Sequence, residues 1–256
     1  MTITLITVCR NAANVIAETL DSALAQDYKH IQLVVIDGAS TDGTVEILKA
    51  YDKKIGSGST GVSMVLVSEP DKGIYDAMNK GLRLANGDVI GFLNAGDLLI
   101  DTQVIGKVVQ AFQTSSAAAV YGDIIMVDEK DIYKVHRTWL SGPYDRENFR
   151  KGWMPPHVAT FIKRNVYDKY GHFNTDLRIG ADYEILLRFL YRHKIATTHL
   201  PEILVRFRLG GMSNGNLKQI LQANREVRRS WKLNGFDAPP LLVTRKLWSK
   251  VMQFFK

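Results

Sequence analysis

Residues 68–97 read SEPDKGIYDAMNKGLRLANGDVIGFLNAGD, and the order of signals within them decides the fold. Glu69-Pro70-Asp71-Lys72-Gly73 breaks regular structure. Tyr75, Met78, Leu82 and Ala85 then recur at helical spacing, with Asn86-Gly87 as a stop signal. Val89-Ile90-Gly91-Phe92-Leu93 is a short apolar run, as a strand covered on both faces requires. It ends in Asn94-Ala95-Gly96-Asp97, which puts a carboxylate at the carboxyl end of a predicted parallel strand. In open α/β sheets, ligands bind at that edge.

Working outward, Ile3 to Val8, Ile31 to Ile36 and Val62 to Val67 are three more predicted strands. Between them, Ile16, Leu20, Ala23 and Leu24 share one helical face, and Ser40 or Thr41 can cap a helix through Val45, Ile47 and Leu48. Asp42 belongs to that helix start. Helices between successive strands imply βαβ units and a parallel sheet. GSGSTG at 56–61 fits G-x-G-x-x-G by letter but follows a helix and precedes a strand, the reverse of a dinucleotide site. After Asp97 the spacing predicts a helix over 104–112 and a hairpin of Val120 to Val127 with Ile132 to His136. A loop over 139–156 follows, able to wall or cover the ligand edge. A connection over 171–180 leads into the helix ADYEILLRFLYRH, followed by a short strand over 203–207 and a basic helix.

A chain of 256 residues with 46% apolar content is an ordered globular protein of one large or two small domains. No apolar run approaches the ~18–20 residues that span a bilayer. MTITLITVCRNA has no basic region ahead of its apolar stretch and reads as a first strand rather than a signal peptide. The single cysteine, Cys9, permits no intrachain disulfide and reads as a packed residue. The expected location is cytoplasmic. The net charge of +7 favours an anionic partner: nucleotide diphosphate, acidic lipid or nucleic acid. Much of the excess lies in 225–256, where Leu241, Leu242, Leu247, Trp248, Val251, Met252, Phe254 and Phe255 interleave with Arg245, Lys246, Lys250 and Lys256. That pattern is an interfacial helix on an anionic membrane, or a helix packed on the protein's own core.

EPDKGIYDAMNKG followed by GDVIGFLNAGD resembles the donor-site half of the family-2 glycosyltransferases of GT-A fold, most closely bacterial enzymes that build surface polysaccharides. The resemblance covers about 2–213. It implies an α/β protein with a mostly parallel, Rossmann-like sheet flanked by helices. The domain would cover 1–215, with a nucleotide-sugar donor half at 1–97 and an acceptor half at 98–215, and 216–256 would form a basic amphipathic helical extension. It further implies an inverting, metal-dependent, hexosyltransferase-type enzyme that uses a nucleotide-sugar, expected to be a UDP-sugar, with Mn²⁺ or Mg²⁺. The acceptor would be a glycan or a lipid-linked saccharide, reached from the cytoplasmic face of the inner membrane.

Family strands usually end in Asp-x-Asp-Asp, whose last aspartate helps bind the metal. Asn94 and Gly96 depart from that pattern, so the metal role carries over to Asp97 alone. Mg²⁺ is held by one or two carboxylates plus substrate phosphates and waters, so one aspartate suffices. Asn94 can hydrogen-bond the ribose or the sugar, and the alternative for Asp97 is a helix cap before Leu98-Leu99. Asp37 ends the second strand. The resemblance makes it the contact to the nucleotide base, where a carboxylate can accept an imide N–H; alone it reads as a turn former before Gly38. Lys72 and the loop RFRLGGMS at 206–213 can approach the diphosphate, or are solvated.

Asp182 and Glu184 form another carboxylate pair. With Asp182 at zero on a 3.6-residue helix, Ile185, Leu186, Phe189 and Leu190 fall at about 300°, 40°, 340° and 80°. Asp182 then shares the apolar face as an N-cap or a site group, and the resemblance makes it the general base. Glu184 falls at about 200°, on the predicted outer face, one turn from Arg188. His157 is an acceptor-site candidate or a packed histidine, with no second histidine at metal spacing. Gln222-Ala223-Asn224-Arg225 begins like the Gln-x-x-Arg-Trp of processive synthases. Glu226 stands in place of the tryptophan, which favours transfer of a single sugar. The rival readings are a nucleotidyltransferase, for which the Gly-rich phosphate loop is missing, and a basic nucleic-acid-binding protein, for which no motif is present. No nucleic-acid partner is expected.

Overall fold

The computed structural model describes residues 1–57, 61–210, 217–240 and 242. Four parallel strands, β1 (Ile3–Cys9), β2 (Ile31–Asp37), β3 (Val62–Ser68) and β4 (Val89–Phe92), stand in the order β3-β2-β1-β4. Helices α1 (Ile16–Leu24), α2 (Thr44–Gly56) and α3 (Ile74–Leu84) join them. Every residue of β1 and β2 is buried, because helices cover both faces and side chains alternate between them. Ile6, Val8, Val34 and Ile36 pack with Tyr75, Met78 and Leu82 of α3. Leu5, Leu33 and Val35 pack with Ile16 and Leu20 of α1 and Leu48 of α2. Gly81 lets α3 approach β1 closely: a Cβ there would lie 2.5 Å from Ile6 Cγ2.

The remaining elements are β5 (Leu98–Leu99), α4 (Val104–Thr114), β6 (Ala119–Val127), β7 (Val135–Trp139), β8 (Thr160–Lys163), α5 (Arg164–Tyr170), α6 (Ala181–Leu186), β9 (Thr197–Arg208) and α7 (Leu217–Leu233). α6 runs directly into a π-helical segment, Leu187–Arg192. The full order is β3-β2-β1-β4-β8-β6-β9-β5, with β7 paired to β6. β8 is antiparallel to β4 and β6, β7 to β6, and β5 to β9, while β6 and β9 are parallel. The parallel arrangement expected of the strand–helix repeats holds for the first four strands, and the later half, where a hairpin is expected, is mixed.

Two expectations need correction here. Leu98-Leu99 is not a helix start but a short strand, pairing with Val205 and Arg206, so Asp97 caps no helix. The second hairpin strand begins at Val135 because the turn extends to Lys134, whose N–H reaches Asp131 O at 3.1 Å. The 139–156 loop contains one 3-10 segment, Arg146–Lys151. Within the basic extension, α7 buries Val227 and Trp231 in the cluster that holds Tyr183, Leu187 and Tyr191. The proposed membrane-binding pattern over 241–256 lies outside the described residues apart from Leu242, and Gly211 to Ser213 of the RFRLGGMS loop also fall outside.

Candidate active site

The carboxyl ends of β1 to β4 converge because their register carries past the last ladder bonds. Cys9 aligns with Asp37, and Asp37 with Ser68. Gly38 N donates to Cys9 O at 2.9 Å, and Glu69 N to Asp37 O at 3.0 Å. The Asp37 side chain is fully buried. Its Oδ2 accepts from Ser68 Oγ at 2.7 Å and Ser40 N at 3.0 Å, and its Oδ1 accepts from Ser40 Oγ. Asp37 thus holds the 38–40 turn, and both of its oxygens already accept serine hydroxyls. The Cys9 thiol is pushed well up by burial and then by Asp37, so it is inert as a nucleophile. Asp42, rather than Ser40 or Thr41, accepts the Thr44 N–H at 3.1 Å; its bond from the Thr44 hydroxyl lowers its pKa.

Beyond β3, the 69–73 loop folds over this turn. A Cβ at Gly38 would meet Asp71 Oδ2 at 2.8 Å, and Lys80 Nζ lies 2.8 Å from Glu69 and 3.1 Å from Asp71. Lys72 is exposed on the loop, as is Arg10 at the end of β1. The arginines of the strand leading into RFRLGGMS are already engaged. Arg206 donates to Ile132 O at 3.2 Å, and Arg208 donates to Glu18, to Gly96 O at 3.1 Å and to Glu129 O at 2.9 Å. Arg208 therefore braces the Asn94–Asp97 turn, where Gly96 takes a φ of +97°.

Asp97 is 4% exposed, and burial raises its pKa to about 8, against the Arg208 N–H at 3.2 Å, the Arg208 charge and an Asn94 hydrogen bond. Asn94 Oδ1 beside it is buried without a hydrogen-bond partner. A desolvated carboxylate next to an orphaned carbonyl oxygen fits a hard divalent cation, which takes oxygen ligands. Among the described residues no group of three or more His, Cys, Asp or Glu could hold a metal, so substrate oxygens would complete the shell. The raised pKa has a linkage consequence. Between about 4 and about 8 the folded chain holds a proton that the unfolded chain has lost, so metal-free stability falls as pH rises through that window. Asp97→Asn has no proton to lose, so its melting temperature in EDTA should gain on the parent's steadily from pH 5 to pH 8. A constant difference would contradict the burial assigned to Asp97.

Asp182 lies half-buried at the start of α6. Its Oδ1 accepts the Tyr183 N–H at 2.7 Å, and Oδ2 accepts no hydrogen bond from the described residues. Tyr75 and His157 both feel its charge. His157 is packed, with ring centroids 4.9 Å from Phe92 and 5.5 Å from Phe173, and burial lowers its pKa. Phe92 precedes Asn94 by two residues, so His157, which feels the Asp182 charge, packs against the carboxyl end of β4.

Glu184 corrects the helical-wheel reading. It is 4% exposed, not outward-facing, and its bond to Arg188 at 3.0 Å is buried beneath α7, with Asn234 Nδ2 donating to its other oxygen at 3.0 Å. Removing one partner of a buried pair typically costs about 3–5 kcal/mol. Glu184→Ala should therefore lower thermal stability by that order instead of a few tenths. A change of under about 0.5 kcal/mol would restore the surface assignment.

Sequence reasoning missed the structural parts of Arg208, Asp71 and Glu226. The only signal for Arg208 was its position closing a strand next to a Gly-rich turn. A separate cavity of about 370 Å³ lies between α4 and the first half of β9, at the opposite end of β9 from Arg208. No helix of the described residues is long and apolar enough to cross a membrane.

The profile of Glycosyl transferase family 2 matches residues 4–171, well over half of the chain. A PGL/p-HBAD biosynthesis glycosyltransferase of Mycobacterium tuberculosis is 28% identical over 206 residues, covering 80% of this chain and 76% of its own. An uncharacterized glycosyltransferase of the same species is 31% identical over 189 residues, covering 73% and 68%. Among solved structures, S. aureus TarS 1-349 in complex with UDP-GlcNAc superposes with a TM-score of 0.69 at 16% identity, over 90% of this chain and 66% of that one. The mannosyltransferase PcManGT of Pyrobaculum calidifontis, in complex with GDP-Man and Mn²⁺, gives 0.66 at 20% identity, over 96% and 69%. The chain, with its GT-A fold, is a glycosyltransferase belonging to family 2.

Proposed function

We propose that this glycosyltransferase is inverting and metal-dependent, and moves one sugar from a UDP-sugar to a hydroxyl of a glycan or lipid-linked acceptor in cell-surface polysaccharide assembly. The observation that carries the reading is the buried Asp97 carboxylate beside the unpartnered Asn94 oxygen, at the strand end where the donor diphosphate belongs. A divalent cation bound there would stabilise charge on the departing diphosphate. Asp37 takes the nucleoside side, exchanging a serine hydroxyl for the imide N–H of uracil. Exposed Lys72 meets the diphosphate. Asp182 orients the acceptor hydroxyl and takes its proton at Oδ2, while the anomeric carbon is attacked on the face opposite the leaving group. Neutral His157 and the stacked pair Tyr75 and Phe173 form the apolar floor beneath it.

The fold leaves the base open, since the structural neighbours named above carry UDP-GlcNAc and GDP-Man; the preference for UDP rests on Asp37. A thermal-shift panel of UDP, GDP and their sugars, with Mn²⁺, Mg²⁺ or EDTA, tests both choices. At a hundredfold excess over Kd a native-state ligand adds ~2.7 kcal/mol. For a chain of this size that is a rise of roughly 5–10 °C. UDP with a divalent cation should give the larger shift. A GDP preference overturns the base assignment, and an undiminished shift in EDTA overturns the metal.

A further inference from the structure

We propose that Glu226 of α7 is a positioning residue for the reaction, fixing the segment Arg178–Gly180 that presents Asp182. This inference rests on the reading of Asp182 as the base. Glu226 is 8% exposed, and its carboxylate collects three consecutive backbone amides: Arg178 N at 3.2 Å on Oε1, and Ile179 N at 2.9 Å and Gly180 N at 2.8 Å on Oε2. Gln222, one helical turn earlier, donates to Oε1 at 2.9 Å. Burial raises the pKa of Glu226, but the bonds from Ile179, Gln222, Gly180 and Arg178 together bring it below the ordinary glutamate value. Glycine at 180 permits the approach, since a Cβ there would lie 3.0 Å from Glu226 Cβ.

The same segment is held from its other side. Tyr75 Oη donates to Ile179 O at 2.6 Å, so both polar groups of Ile179 are fixed, one by the donor half and one by α7. Asp182 follows three residues on. The next two side chains are also tied to the C-terminal region, Tyr183 Oη by Trp231 Nε1 at 2.9 Å and Glu184 by Asn234. α7 keeps its place on the core through Val227 and Trp231, so removing the Glu226 carboxylate releases the 178–180 backbone without detaching the helix. This explains why a glutamate stands where processive synthases carry the tryptophan of Gln-x-x-Arg-Trp. Here the position serves the base-bearing loop.

The test compares Glu226→Ala and Glu226→Gln with the parent in the full chain, by amide hydrogen exchange, UDP calorimetry with Mn²⁺, and turnover with the donor that the thermal-shift panel selects. Exchange at the Arg178, Ile179 and Gly180 amides should rise about tenfold or more in Glu226→Ala, and less in Glu226→Gln, which keeps a carbonyl acceptor. Exchange in β1 to β4 and the UDP affinity should be unchanged. A displaced base costs up to about 10²-fold, so kcat should fall about 10- to 100-fold with the donor KM unaltered, and Glu226→Gln should recover part of it. Unchanged exchange at 178–180 overturns the proposal. So does faster exchange with full turnover in Glu226→Ala while Asp182→Asn is inactive. Full turnover in Asp182→Asn removes the base assignment instead, and the exchange data then still decide whether Glu226 holds the segment.

Discussion

An Asp182→Asn enzyme is expected to turn over about 10²-fold or more slowly at saturating donor and acceptor, the usual scale for losing a general base. The geometry points to this carboxylate. It alone of the α6 pair is open, with Oδ2 accepting nothing from the described residues, whereas both oxygens of Glu184 are bonded beneath α7. UDP binding should survive, because the Asp97 turn is braced by Arg208 and not by α6. Glu184→Gln is the matched control: its loss should appear in melting temperature ahead of kcat. Near-normal turnover by a folded Asp182→Asn, or a collapse of kcat confined to Glu184→Gln, would show that the proton goes elsewhere.

Asp97→Ala should reduce transfer by about 10²- to 10³-fold, the scale for removing one preorganised electrostatic contact. It should also abolish the enhancement of UDP binding by Mn²⁺ in calorimetry, a readout that needs no acceptor. The parent's enhancement should grow with pH as far as about 8, because the cation displaces the proton that burial keeps on Asp97. Full Mn²⁺ enhancement in the variant would move the ion to other ligands and leave Asn94 Oδ1 unexplained.

How much of this the sequence discloses depends on how local each signal is. β1 to β4 are legible because each is an apolar run bounded by polar residues and covered on both faces. The position of Asp97 just past a strand end is legible because the apolar run stops at Leu93, and the family match favours the glycosyltransferase reading over the nucleotidyltransferase one. β5 is not legible: two leucines carry no period, and only β9, far along the chain, makes them a strand. Glu184 misleads for the same reason. A helical wheel contains one helix, and the cover that buries the supposed outer face comes from Asn234. Glu226 reads as a failed motif position until the loop it holds is in view.

Residue 171, where the family match ends, is not a joint in the molecule. Asn79 of α3 trades two bonds with Phe173, Nδ2 to O and N to Oδ1, each at 2.9 Å, just as a paired strand residue would. With Tyr75 on Ile179 O, these bonds stitch α3 to the stretch that leads into Asp182. A gene fragment stopping at 171 would strip the buried Asn79 amide of both partners and uncover the Tyr75 and Phe92 rings. Shuffling segments between relatives at that point therefore has to move α3 together with the 172–180 stretch, so the practical unit of exchange is discontinuous in sequence.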